Sequence, residues 1–473
     1  MWPTALKLLG GSLLTLALVW ALVLGWWQSN DYEPSKLDLG LYLVALPLAL
    51  VGGYLLLRGF IDHLKSPSAP SLPAAPVLRD DDPLVLATAK SEAAERSFMI
   101  GVIDGFVVTS AGGAADETLS ATEEGKRPEP SARLTDESGF PVFLAEVPDL
   151  DVDATIERSL NHALPLGDLS AHEQIMRSLS LLERLLDMVN DRLPESLERV
   201  GVSPTLRVAL VVPATWKSMD LTAIKAWLQA GVPALSEQNT PDISIVPVSN
   251  ELEAMQVLDE INLRINRDPS SQELTLLLGV VSGVDEQSVA QRLSGNRLFT
   301  SEHQERQIPG EGGVALLLAG KTLIDRCRLE NCAMISRVSM GSRDKPVDAG
   351  GRVSGKLIGQ LTAGLLDVTG IEHSAIKTAL LDTDHRANNL MEALDGLGQD
   401  FDHLDPVKDC LAIGASTGDL SPIGGLVALA CAKVRVLATE APALCISNQH
   451  HLGRAALLAL PVPIEAEANP HSI

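Results

Sequence analysis

"CLAIGASTGDLSPIGGLVALACA", Cys410 to Ala432, reads as a short buried strand, a glycine-rich turn and an apolar helix. Many active sites are presented in this way. Within it "GASTG", Gly414 to Gly418, fits the G-x-S-x-G nucleophile elbow and has the required strand-to-helix context. In hydrolases of that type the acid and the histidine follow the serine on later strands, and fewer than about 60 residues remain after Ser416. His450, His451 and Glu440 are available, but the remaining chain is too short for the usual sheet. The glycines are therefore read as serving φ and close packing. Ser416 is not the expected nucleophile.

Outward from this stretch the text alternates. Toward the amino end, "RSFMIGVIDGFVVTSA" reads as strand, turn, strand, and Ser110 to Arg133 as a polar, mobile loop. A helix follows in "AHEQIMRSLSLLERLLDMVNDRL", with Ile175, Leu179, Leu182, Leu185, Leu186 and Val189 at helical spacing. Then come "LRVALVVPA" (strand), "AIKAWLQAG" (helix), "ISIVPVS" (strand), "LEAMQVLDEINLRI" (helix), "LTLLLGVVSG" (strand) and "GGVALLLAG" (strand). The second half repeats this grammar in shorter form, from the strand "CAMISRVSMG" through "SGKLIGQLTAGLLDVTG", "AIKTALLDT" and "ANNLMEALDGLG" to "APALCIS" and "AALLALPV". Near-continuous apolar strands between helices imply a layered α/β architecture. Two halves of one grammar suggest an internal duplication.

Composition narrows the partners. The chain has 473 residues with 61 acidic against 37 basic side chains, a formal charge of −24. Such a surface repels phosphate backbones, so no nucleic-acid partner is expected. All five cysteines, Cys327, Cys332, Cys410, Cys431 and Cys445, lie in the C-terminal third without framework spacing. They read as buried thiols in a reducing compartment rather than disulfides or zinc ligands. No Walker A spacing is present, and "DTDHRANN" around His385 reads as capping or solvated text, so neither metal nor cofactor is expected.

The amino end reads as a membrane hairpin over residues 1–65, with spans at about 8–28 and 39–58 that are long enough for a hydrocarbon core. A cleaved signal peptide competes for the first span, but it would need a richer basic start than Lys7 and a small-residue cleavage site. Trp26 and Trp27 instead suit an interfacial belt. Lys7, Arg58 and Lys65 flank the spans and Asp31, Glu33 and Asp38 sit between them, which places both ends in the cytoplasm of a bacterial inner membrane. A Pro/Ala-rich linker, 66–84, then holds the soluble part away from the bilayer.

From about Ser97 to Pro461 the order of these pieces resembles the thiolase-like superfamily, in its β-ketoacyl synthase branch. "ERQIPGEGGVALLLAG", Glu305 to Gly320, is similar to that family's G-E-G-A-x-x-L-x-L hairpin, and "STGDLSPIGGLVALACAKVRV" to its T-G-H turn and following helix. "LSLLERLLDMVNDRLPESLERVGVSPTLRVALVVPA" resembles the helix and strand leading to its substrate face. The resemblance implies a duplicated α/β/α/β/α five-layer domain after the hairpin, with halves at 85–325 and 326–465 and a tail at 466–473. It also implies a cysteine nucleophile and two histidines, or a histidine and an asparagine. Their expected places are degenerate. Ser249, Asn250 and Glu251 stand where the cysteine belongs, Asp382 to Asp384 where the first histidine belongs with His385 displaced, and Asp419 where the second belongs. The family's final glycine-rich turn is replaced by "SNQHHLGRA". A carboxylate opposes an oxyanion rather than stabilising it. The strand before Glu251 and the strand before Asp419 are expected to abut at the centre of the domain.

Two readings follow. In one, the protein is a pseudoenzyme, a binding or adaptor component tied to the bilayer through its hairpin. The combination resembles the adaptors of type VI secretion lipase effectors, with a secreted effector and a spike protein as protein partners and a homodimer as in ketoacyl synthases. In the other it is a membrane-bound acyl-transfer or condensing enzyme with an altered site, in which Glu251, Asp419 and His385 or His450 act as acid and base. Scaffolding of an envelope complex is a third use of the same fold.

Overall fold

"ELTLLLGVVS" and "EGGVALLLAG" contain no helical period, and each forms a ten-residue strand buried at every position. Strands sealed on both faces belong in the middle of a layered domain. The computed structural model describes residues 91–462, apart from 137, 162–171, 201–203, 234–241, 269, 271 and 350–352, together with helical residues between 19 and 29. The chain divides into two units, Met1–Ala87 and Thr88–Ile473. Most of the first expected membrane span and all of the second, the 66–84 linker and the 466–473 tail lie outside the described residues. Among the described residues no helix is long and apolar enough to cross a membrane.

The second unit is built on an 11-stranded sheet. In chain order the strands are β1 (Ile100–Thr109), β2 (Glu129–Thr135), β3 (Pro141–Leu144), β4 (Thr205–Pro213), β5 (Asp242–Val248), β6 (Glu273–Ser282), β7 (Glu311–Gly320), β8 (Ala333–Ile335), β9 (Ser339–Ser342), β10 (Thr378–Leu381), β11 (Cys410–Ala412), β12 (Ala443–Ser447) and β13 (Gly453–Pro461). Hydrogen bonding runs β11-β10-β12-β13-β8-β1-β7-β6-β4-β5, with β9 on β13 and a separate β2-β3 pair. Numbered within its own half, each set of five has the order third, second, fourth, fifth, first. In both sets the fifth strand, β7 or β13, is antiparallel to its neighbours. The repeated grammar is therefore a repeated topology. The halves meet where β1 pairs antiparallel with β8.

Two helices form the inner layer. Glu251–Arg267 and Gly424–Thr439 pack on each other and on strands of both halves. The second is apolar all round, with Leu426 to Ala432 buried, because a sheet or helix meets every side of it. Glu173–Val200 and Leu221–Gly231 cover the outer face of the first half; Lys356–Thr369 and Ala387–Leu397 cover that of the second. The result is a mixed α/β domain with one large sheet.

Three local expectations are corrected. "RSFMIGVIDGFVVTSA" holds one strand, β1, with a register shift between Val102 and Asp104 in place of a turn. Asp104 is tolerated there because Ser196 Oγ donates to it at 2.5 Å and Arg199 lies 3.7 Å away. The stretch from Ser110 to Arg133 is ordered as helix Ala115–Glu123 and most of β2, its apolar side, Ala115, Leu119 and Ala121, being buried. "CAMISRVSMG" breaks into β8 and β9 around Ser336 to Val338, where Arg337 pairs with Asp259 at 2.6 Å.

Candidate functional site

The β11 turn is shaped by backbone contact. A Cβ on Gly414 would lie 2.3 Å from Asp382 O and 2.8 Å from Thr383 O. Gly418 has φ +68°, and a Cβ there would meet Ala145 Cβ at 2.8 Å. Gly414→Ala is expected to destabilise the protein by about 2–3 kcal/mol through backbone overlap. Gly364→Ala, in open space inside Lys356–Thr369, is expected to stabilise it by about 0.5–1 kcal/mol. Urea denaturation of both variants checks the contrast. Ser416 lies in the helical turn Gly414–Thr417 and is 2% exposed, facing no approach route for a substrate.

Beneath this turn is a small cavity lined by Glu251, Asp382, Thr417, Ser421, Gln449 and apolar neighbours including Leu420. It leaves about 10 Å³ for the centre of a water molecule, room for at most about one water and not for an acyl chain. Glu251 is the first residue of its helix and almost fully buried. Burial first, then the charges of Asp382 and Asp419, push its carboxyl up to about 7, against the pull of a Ser421 hydrogen bond. Burial likewise pushes Asp382 up to about 6, although Ser447 Oγ donates to it at 2.5 Å and Asn448 N at 2.8 Å. Asp419 accepts from Ser421 N at 3.0 Å and faces Arg292 Nη2 at 3.5 Å. Its backbone is held on both sides, Asp419 N donating to Ile308 O and Gly310 N to Asp419 O.

The other expected positions lie apart from the cavity. Asn250 caps the Glu251 helix: its Oδ1 accepts from Glu253 N and its Nδ2 donates to Glu253 Oε1, both at 3.1 Å, while Ser249 N donates to Glu253 Oε2 at 2.7 Å. Glu253 reaches back as in a capping box, but to the backbone of Ser249 and the side chain of Asn250, and both polar atoms of the Asn250 amide are occupied. Asp384 pairs with Arg386 at 2.8 Å and accepts from Gln449 Nε2 at 2.7 Å. His385 turns outward, donating from Nε2 to Gln304 O at 3.0 Å with its ring against Phe299. His450 Nδ1 accepts from Gly453 N at 2.7 Å and Leu452 N at 3.3 Å, and burial first, then His451 and Arg454, push its pKa down. The structure thus brings together Glu251, Asp382 and Asp419 and leaves out Asn250, Asp384 and His385.

The strands before Glu251 and Asp419 are not neighbours, contrary to expectation. β5 and β11 are the two outer edges of the long sheet. Their carboxyls converge because the chain leaves each edge strand and turns inward to a helix of the middle layer. Ser421, Gln449 and Arg292 were not singled out from the sequence; only their distance in space from Glu251 and Asp419 gives them a part. Among the described residues no group of three His, Cys, Asp or Glu side chains is placed to hold a metal ion. The five cysteines are unpaired. Burial pushes Cys332 and Cys410 up to about 11, Cys431 up to about 12, and Cys445 up as well, so none of these four is poised as a thiolate.

The chain superposes on solved ketosynthases over most of the second unit. One is a type II polyketide ketosynthase, solved with its acyl-carrier protein and bound to a hexaketide, at TM-score 0.54 and 10% identity, covering 78% of this chain and all of that one. The fold is the thiolase-like fold of the ketosynthases. The ketosynthase of module 6 of the bacillaene synthase from Bacillus subtilis matches this ketosynthase-like chain at TM-score 0.52 and 11% identity, over 77% of it and 72% of that chain. The ishigamide ketosynthase/chain length factor matches at TM-score 0.51 and 14% identity, over 77% and 99%. At such identities the likeness is one of fold. No family model matches the sequence, and no curated protein does.

Proposed function

We propose that the protein is a ketosynthase-like fold used as a binding scaffold, an adaptor anchored to a bacterial inner membrane that loads a type VI secretion effector onto its spike. The observation that carries the non-catalytic part is Asn250. At the place where the resemblance puts a nucleophile, its amide is consumed in a helix cap, and the adjoining cavity holds carboxyl groups with space for about one water. The cap leaves no attacking atom at Asn250, and the cavity leaves no room for a thioester. The fold leaves the reaction open, so function is argued from the site. The anchor, the partners and a homodimer are parts of the same proposal; the anchor rests on the apolar spans and flanking charges of residues 1–65, the others on the resemblance.

The competing reading, an acyl-transfer or condensing enzyme with an altered site, has one observation in its favour. Glu251 holds a proton near neutral pH, as a general acid or base must. Incubation of the full chain with an activated acyl donor, followed by intact-mass measurement, separates the two. The adaptor reading expects no acyl adduct, and expects co-purification with a lipase effector and spike protein encoded beside it. A stoichiometric adduct that disappears in Glu251→Gln would establish the enzyme instead.

A further inference from the structure

Glu251, Asp382 and Asp419 come from three separate elements and from both halves of the duplication; Glu251 and Asp382 line one small cavity, and Asp419 lies in the turn that borders it and acts on Glu251 through its charge. They are unequally provided with donors. Asp382 has the Ser447 hydroxyl and Asn448 N, and Asp419 has Ser421 N and Arg292. Glu251 has the Ser421 hydroxyl and its own backbone amide, and among the described residues no cation pairs with it. Burial, and after it the charges of Asp382 and Asp419 with no cation set against them at Glu251, is the reason that this group keeps its proton.

The cavity roof is made of two segments that hang on these same groups. The Gly418–Ser421 turn carries Asp419 and Ser421. The 447–453 loop is tied to Asp382 through Ser447 and Asn448, and to Asp384 through Gln449. We propose that the three carboxyls form a proton-controlled latch between the halves. With Glu251 protonated the roof is shut; loss of that proton places like charges on both sides of the seam and loosens the turn and the loop. The charged groups around it do not cancel this effect. Arg292 lies by Asp419; Arg386 pairs with Asp384 and also bears on Asp419; Arg454 pairs with Glu392 and also eases Asp382; Glu253, on the same helix as Glu251, is committed to the cap, and none of these cations pairs with Glu251. His450 lies on the Glu253 side of the loop and gains its proton in the acid range, so its titration falls on the other side of neutrality. The latch concerns the shape of the site and is independent of which partner the protein carries.

Amide hydrogen exchange of the full-length protein, compared at about pH 6 and about pH 8.5 after correction for the intrinsic rate, tests this. Peptides covering 418–423 and 447–453 are expected to lose about tenfold or more protection at the higher pH relative to those of β6 and β7. In Glu251→Gln they should stay protected throughout. Unchanged protection in the wild type, or the same loss in the variant, overturns the latch. Should the variant not fold, the wild type alone decides: the infrared band of a buried protonated carboxyl should bleach with a midpoint near neutral pH, and the lack of such a band rejects the proposal.

Discussion

Glu392→Ala is expected to cost about 3–5 kcal/mol of stability, the scale of an uncompensated buried charge. Arg454 and Glu392 are both 0% exposed, with Arg454 Nε 2.9 Å from each carboxylate oxygen and Nη2 2.7 Å from Oε2, and Arg343 adds a second guanidinium to the same carboxylate. Removing the carboxylate strands a guanidinium that water cannot reach. The pair also joins helix Ala387–Leu397 to β13, and Arg454 reaches back to His450 O and Gly453 O, so the loss extends to the loop over the cavity. The double variant Glu392→Met with Arg454→Met should recover most of the deficit, because an apolar pair of similar volume avoids desolvating charge. Chemical denaturation of the three proteins measures this; a double variant no more stable than Glu392→Ala would refute the account.

The second large effect is a pH dependence removed by one atom exchange. Glu251 is raised in the folded protein to about 7 from an ordinary 4.5. A carboxyl raised on folding contributes its full share of stability below its unfolded value and loses that share as pH rises through the folded value. Stability of the wild type is therefore expected to fall between about pH 4.5 and about pH 8, by up to about 3 kcal/mol from this group. Asp382, raised in the same direction to about 6, adds to the slope at its acid end. Glu251→Gln should flatten the upper part of the curve. At pH 8 it should be the more stable protein by up to about 3 kcal/mol, while near pH 4.5 the two coincide. Urea midpoints across this range test it, and a variant that parallels the wild type at every pH would show that Glu251 is ionised throughout.

The layered α/β class and the duplication were legible because the strands are buried on both faces and so spell themselves as apolar runs, "LTLLLGVVS" and "GGVALLLAG" above all. The misread segments have a physical reason in common. Asp104-Gly105 looks like a turn signal, but Ser196 and Arg199 satisfy Asp104 from a helix some ninety residues away, and β1 runs straight through. Helix Ala115–Glu123 hid in polar text because only a narrow side of it is buried. At the site, Glu251, Asp382 and Asp419 could be picked out by the turns that carry them. The exclusion of His385 and Asp384 could not, since it depends on Gln304, Phe299 and Arg386 taking those side chains away. Arg454–Glu392 and Arg177–Glu311 join residues far apart in sequence and leave no local trace.

The two inner helices both begin at the cavity, Glu251 opening one and Gly424 the other. Each helix start presents a dipole end equivalent to about half a positive charge, so the pair supplies roughly one unit of positive potential to the enclosed space. Asp419 is set beside the cavity against Arg292, so the space itself is balanced for one of the two carboxyls that line it, Glu251 and Asp382, and in surplus for the other. The duplication has thereby set a charge capacity: whichever side chains fill these turns, two helix starts at one cavity offset about one carboxylate and leave the next one its proton.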